Sequence, residues 1–140
     1  MAYIDTSVLI AYYWPEALSE AAQAEIRRAK PPTVSALTEV EFRSALALKT
    51  RTGDMDEGLA RQALSAFRLH RLEGVFRIVS IEAREYAMAS EWIETFKSPL
   101  RTLDALHLAA ASSNDLRLVT ADKALAESAK LFGVRHKLIA

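Results

Sequence analysis

Four acidic side chains stand in this sequence where apolar ones would be expected. Asp5 interrupts the opening run "AYIDTSVLIA", and Glu41 lies in the helical pattern "LTEVEFRSALAL". Asp104 sits at the head of "LDALHLAAA", and Asp122 follows "RLVT" after a single alanine. A carboxylate taken out of water without a partner is costly. Each of the four has an ordinary explanation. Asp5, Asp104 and Asp122 can cap or face helix N-termini, where the backbone dipole favours negative charge. Glu41 can close a capping box with Thr38 if its helix starts late. Read instead from Leu37, the helix puts 37, 40, 41, 44, 45 and 48 on one face, with Glu41 inside its apolar stripe. Its neighbour Glu39 then faces elsewhere and can pair with Arg43 one turn on. Taken jointly, four carboxylates within a few ångströms would repel, and some would stay protonated unless a cation joined them. Mg²⁺, with Mn²⁺ as its substitute, prefers oxygen ligands and is often held by carboxylates together with a phosphate. The chemistry to expect is metal-assisted hydrolysis of a phosphodiester.

Such convergence needs a scaffold, and the pattern along the chain supplies one. Short β-rich runs fall at Ala2–Asp5, Thr33–Ser35, Phe76–Ile81, Arg117–Thr120 and Arg135–Ile139. Helical patterns lie between them at Ser7–Tyr13, Leu18–Ala29, Leu37–Arg51, Met55–Leu72, Glu82–Phe96, Leu103–Ser113 and Ala121–Phe132. Strands alternating with helices predict a mostly parallel sheet covered by helices, whose ligands bind beyond the carboxyl ends of the strands. Asp54 with Glu57 reads as a capping box, and Gly133 as the residue that closes the last helix.

Composition narrows the class. At 140 residues, half apolar and a quarter charged, the chain is expected to form one domain over 1–140. It has no cysteine, which removes disulfides and thiolate metal sites. His70, His107 and His136 form no metal-binding spacing, and His107, on an apolar face, is expected to be a hydrogen-bonded core residue. No apolar stretch approaches the roughly 18 residues of a membrane span, and a strand from residue 2 leaves no room for a signal peptide, so the expected location is cytoplasmic. Acidic and basic residues balance at 18 each, so net charge selects no partner. Cations do gather in the middle third, at Arg43, Lys49, Arg51, Arg61, Arg68, Arg71 and Arg77; for most of them a solvated helix face is explanation enough.

With these residues in view, the sequence resembles the PIN-domain ribonucleases, and among them the VapC-type toxins of toxin–antitoxin pairs. The segments that carry the likeness are "YIDTSVLI", "VSALTEVEF", "LDALHLAAA" and "LVTADKAL", which match the family's four acidic motifs in order, with "RHKLI" matching its last strand. The resemblance spans essentially the whole chain. It implies a three-layer α/β/α sandwich and Mg²⁺- or Mn²⁺-dependent endoribonuclease activity. Asp5, Glu41 and Asp104 match the three core acids, Asp122 the fourth, and Thr120 a hydroxyl residue beside it. Thr6 and Ser7 follow the first acid, as is usual in the family. A cognate VapB-type antitoxin and a homodimer are implied by the family, the latter suited by the helix through Leu59–Leu72. For an RNA substrate, Arg43, Lys97, Arg101 and Lys123 are the candidate phosphate contacts, and Tyr12, Tyr13 and Trp14 can stack bases or pack against the first helix.

Three other classes share parts of this pattern. A haloacid-dehalogenase-like phosphoaspartyl enzyme needs a second Asp where this chain has Ser7. A receiver-like domain needs an acidic pair at its first strand and a lysine after a later one, and neither is evident. A PIN-like module that keeps the acids but only binds RNA or a partner is the remaining alternative.

Overall fold

A computed structural model describes residues 1–140 and resolves them into five strands and seven helices. The strands are β1 (Ala2–Ile4), β2 (Pro32–Ser35), β3 (Arg77–Val79), β4 (Arg117–Thr120) and β5 (His136–Leu138). They form one sheet in the order β3-β2-β1-β4-β5, and every pairing is parallel. The helices are α1 (Thr6–Tyr13), α2 (Ser19–Arg28), α3 (Ala36–Arg51), α4 (Glu57–Leu72), α5 (Ala83–Ile93), α6 (Thr102–Ser113) and α7 (Lys123–Leu131). Each expected strand and helix is present; ends differ by at most three residues, and β4 matches at both.

Side-chain alternation along the strands divides the core in two. Ala2, Ile4, Val34, Val119 and Ile139 pack on the side covered by α1 to α4. Tyr3, Val79 and Leu118 point the other way, against α5, α6 and α7. Both faces of a parallel sheet are thus covered, which is why its strands read as nearly unbroken apolar runs. The α6 sequence is apolar all round for the same reason: Ala105 to Ala111 are all buried.

Local chemistry corrects several expectations. The capping box before α3 is made by Ser35 and Thr38, so the helix starts at Ala36 and Glu41 has no capping duty. The buried stripe of α3 runs through Thr38, Phe42 and Leu46, while Val40 is 66% and Leu48 52% exposed. The apolar face expected through Glu41 is therefore the flank of that stripe, rotated towards solvent. The cap of α4 is Asp56, whose carboxylate accepts from the Leu59 N–H at 2.9 Å; Asp54 instead accepts from the Thr52 hydroxyl. Glu39 pairs with Arg71 of α4, and Arg43 donates to the Glu39 backbone carbonyl. That crosslink ties α3 to α4, which a surface pair within α3 would not do. Gly133 follows α7 with φ 72°, the left-handed turn that closes a helix and that glycine adopts at least cost.

An aromatic group fixes α1 against α3 and α4. The Phe42 ring lies 4.8 Å from Phe67 and 5.5 Å from Tyr13, centroid to centroid, and both phenylalanines are fully buried. Tyr13 also meets Phe67 and donates or accepts a 2.5 Å hydrogen bond with His70 Nδ1. It is a packing residue, so base stacking by Tyr13 is set aside. Phe42→Ala should cost about 3–5 kcal/mol, seen as a lower urea midpoint with little change in slope.

Candidate metal centre

Asp5 directly follows β1 and is the N-cap of α1. Its backbone N–H still bonds to the Val119 carbonyl at 3.0 Å, so it is positioned by the β1–β4 ladder. The carboxylate then takes three bonds. Oδ1 accepts from the Thr6 N–H at 2.8 Å, and Oδ2 accepts from the Ser7 hydroxyl at 2.7 Å and the Thr120 hydroxyl at 2.9 Å. Those hydroxyls also accept N–H groups from the turn after β4: Ala121 on Ser7 at 3.0 Å and Asp122 on Thr120 at 3.0 Å. Asp5 is both a helix cap and the centre of a junction between two strand ends.

Glu41 reaches the same place from the second turn of α3. The Thr6 hydroxyl donates to its Oε1 at 2.8 Å, and His107 Nε2 bonds to the same oxygen. One carboxylate oxygen from each of Asp5 and Glu41 and one His107 ring nitrogen lie within 4.8 Å of one another. His107 is fully buried and hydrogen-bonded, as its place on an apolar face suggests. Its partner is a site carboxylate, however, which sequence alone did not reveal. The available signal was its spacing: one helical turn after Asp104, on the same face.

Asp104 and Asp122 flank this group without sharing a hydrogen bond with Asp5 or Glu41. Asp104 lies in the first turn of α6. Asp122 caps α7, its Oδ1 accepting from the N–H groups of Ala124 at 2.8 Å and Leu125 at 3.2 Å. Electrostatics nevertheless binds the four acids into one set. Burial, then the charges of Asp5, Asp122 and Glu41, raise the Asp104 carboxyl to about 6, against a smaller opposing pull from His107. Glu41 is shifted the other way: burial raises it, but hydrogen bonds from His107 and Thr6 and the electrostatic pull of His107 outweigh this and hold it below its usual value. Negative charge is thus in excess at this edge: hydrogen-bond donors reach Asp5, Glu41 and Asp122, and none reaches Asp104. Hard oxygen ligands in such surplus suit a divalent cation.

Of the cations expected to serve phosphates, Arg101 and Lys123 are exposed and adjoin the first turns that carry Asp104 and Asp122. Lys97 is exposed in the loop before α6, and Arg43 is exposed on α3.

Comparison with known proteins follows from this geometry. The family model described as "PIN domain" matches residues 2–131. This chain belongs to the PIN-domain family. No curated protein matches it closely enough to add a relative. Among solved structures, VapBC2 from Rickettsia felis bound to a promoter DNA fragment superposes with a TM-score of 0.70 at 12% identity, covering 100% of both chains. FitAcB from Neisseria gonorrhoeae gives 0.68 at 22% identity, covering 97% of this chain and 96% of that one. VapC20 from Mycobacterium tuberculosis, described as a sarcin-ricin loop cleaving toxin, gives 0.64 at 20% identity, covering 84% and 87%. At these identities the likeness establishes the PIN-like fold.

The raised Asp104 carboxyl has a consequence for stability. Folding without metal favours its protonated form, so its contribution is complete below the ordinary value of 3.8 and is lost as pH rises through about 6. In EDTA at neutral pH, Asp104→Asn should therefore be more stable than the parent, by about 1–2 kcal/mol once solvent screening is allowed for. The gap should close at about pH 3, below the ordinary value, where the parent carboxyl is protonated in both states. Urea titrations across that range measure it. A parent more stable at neutral pH would make Asp104 a helix-end charge and nothing more.

Proposed function

We propose that this chain is a metal-dependent endoribonuclease of the VapC toxin type, using Mg²⁺ or Mn²⁺ and restrained by a cognate VapB-type antitoxin. The observation that carries the reading is the gathering of Asp5, Glu41, Asp104 and Asp122 at one sheet edge, where burial first and the neighbouring charges second raise the Asp104 carboxyl to about 6. Family membership makes nuclease chemistry the natural use of such a site. The toxin–antitoxin complexes among the structural neighbours support the class of partner.

In this mechanism Asp5 and Glu41 would hold the cation, with Asp104 and Asp122 contributing directly or through water. Bound there, a divalent cation would lower the pKa of a water and offset charge developing on the attacked phosphate. The chain does the rest. Thr120 and Ser7 fix the Asp5 carboxylate, and Thr6 fixes Glu41. Arg101 and Lys123, exposed at the starts of α6 and α7, would meet RNA phosphates, and bases would be read elsewhere, because the acidic centre is blind to their identity. Exposed Leu69 and Leu72 on α4, 53% and 87% accessible, support pairing of two copies through that helix. No helix is long and apolar enough to cross a membrane, in keeping with a cytoplasmic nuclease.

Incubating the antitoxin-free protein with a mixed RNA pool tests the reading. Cleavage should appear with Mg²⁺ or Mn²⁺ and vanish with EDTA. Asp5→Asn and Asp104→Asn should each lower it by at least about 100-fold, an effect of the size expected when a charge that stabilises the transition state is removed. Mn²⁺ binding with no cleavage of any RNA would identify a module that grips without cutting. Full activity in Asp104→Asn would remove that residue from the metal's ligands.

A further inference from the structure

Phe96 lies in the loop from Glu94 to Arg101 that joins α5 to α6, and its side chain is 91% exposed. Of the other four phenylalanines, Phe42, Phe67 and Phe76 are buried and Phe132 stacks on Trp92. The backbone of Phe96 is also left-handed, with φ 56°. Gly53, Gly74 and Gly133 use that region elsewhere in the chain, as does Asp115, a residue type that tolerates it. A bulky side chain there is an outlier and persists only where its surroundings fix it. Here they do. The Phe96 N–H bonds to the Ile93 carbonyl at 3.1 Å, and the Thr95 hydroxyl donates to the Trp92 carbonyl at 2.7 Å while accepting the Lys97 N–H at 3.3 Å. Further on, Leu100 enters the core against which Trp92 and Ile93 pack. A lone exposed apolar side chain needs no explanation. One held in an unfavourable backbone conformation, with its ring in water, does.

The loop lies at the acidic end of the fold. Helices α5 and α6 pack on one another, and Ser113 in the last turn of α6 is beside Glu85 in the first turn of α5. The two helices therefore run in opposite directions, and their connection is at the end where α6 begins, the end that carries Asp104. Packed helices stand about 8–10 Å apart, a span that a strand of RNA crosses within a few nucleotides. From Thr95 to Leu103 the only charged residues are Lys97 and Arg101. Both are exposed and neither is in an ion pair.

We propose that Phe96 is a stacking platform for an unpaired base of the RNA substrate, with Lys97 and Arg101 meeting neighbouring phosphates. The proposal rests on the ribonuclease reading above and deepens it by assigning a preference for unpaired RNA. A phenyl ring offers a π face and no hydrogen-bonding group, so it holds any base and reads no base edge. Bases inside a duplex are stacked on one another, so the platform favours single strands and loops. A protein partner fits the surface less well. An apolar interface needs a contiguous patch, whereas this ring is flanked by Thr95, Lys97 and Ser98 and is the one exposed large apolar side chain between Tyr86 and Leu103.

Binding of a labelled, short single-stranded RNA of mixed sequence tests it, by fluorescence anisotropy in EDTA and again in Ca²⁺, with the probe's length checked on a gel. Phe96→Gly should bind roughly 5- to 150-fold more weakly, the range of one base–aromatic stack. It should nevertheless unfold at the same or a higher urea concentration, because glycine adopts φ 56° freely. Phe96→Trp should stay within a few-fold of the parent, and its added emission, over that of Trp14 and Trp92, should be quenched as RNA binds. The same sequence as a duplex should bind the parent and Phe96→Gly alike. Parent-like single-strand affinity in Phe96→Gly overturns the platform and leaves the nuclease reading standing. An equal loss for duplex and single strand, or a lowered urea midpoint in Phe96→Gly, also overturns it, since the ring then serves general binding or the loop itself. Phe96→Gly that sediments as a smaller species with unchanged RNA affinity gives the ring to a second copy of the chain instead. Stacking without metal-dependent cleavage overturns the nuclease reading and keeps the platform. No RNA binding by the parent in either buffer overturns both.

Discussion

The three hydrogen bonds accepted by the Asp5 carboxylate are the interaction on which this sheet edge depends. They come from the first turn of α1 and from the end of β4, and the same hydroxyls hold the turn that follows β4. Without a charge at Asp5, two serine and threonine hydroxyls and a helix-end N–H would be buried with poorer partners. A buried group left unpaired costs about 1–3 kcal/mol, so the junction is expensive to disturb. The charge is also what makes the junction chemically useful. Its neighbours are three more carboxylates, and the donors that satisfy Asp5 do not reach Asp104. The edge is a compromise: donors enough to keep the fold, anions enough to want a cation.

Much of this was readable before any coordinates. Alternation of short β-rich runs with helical patterns gave the parallel sheet, because the two periodicities differ and the connections are short. Asp5 and Asp122 were legible because carboxylates just after strands are conspicuous. Glu41 was found through a faulty premise. The apolar stripe that appeared to contain it is the flank of the buried face, and Val40 and Leu48 are exposed. Helical periodicity fixes which residues share a face but not how that face turns against its neighbours, since rotation is set by packing partners such as Phe67. Capping was misjudged at Asp54 for a related reason. Several polar residues preceded α4, and only the backbone path selects Asp56.

The Glu39–Arg71 pair and the role of His107 illustrate what sequence could not carry. Both join residues more than 30 positions apart. Arg43 was the nearer partner for Glu39 in sequence, yet the packing of α3 on α4 put Arg71 closer. For His107, one helical turn linked it to Asp104, but its contact is with Glu41 on another helix. A lone histidine on an apolar face is rightly read as a hydrogen-bonded core residue. Only the fold says that the partner belongs to an acidic centre.

The strand order carries a temporal consequence. β1 lies in the middle of the sheet and pairs with β4, so the first residues of the chain find half of their partners more than 110 positions later. Asp5 meets Thr120 at a sequence separation of 115. A polypeptide emerging from the ribosome amino end first therefore carries Asp5 and Glu41 long before the edge that unites them can close. Until the segment around Thr120 has been synthesised and released, that edge cannot close.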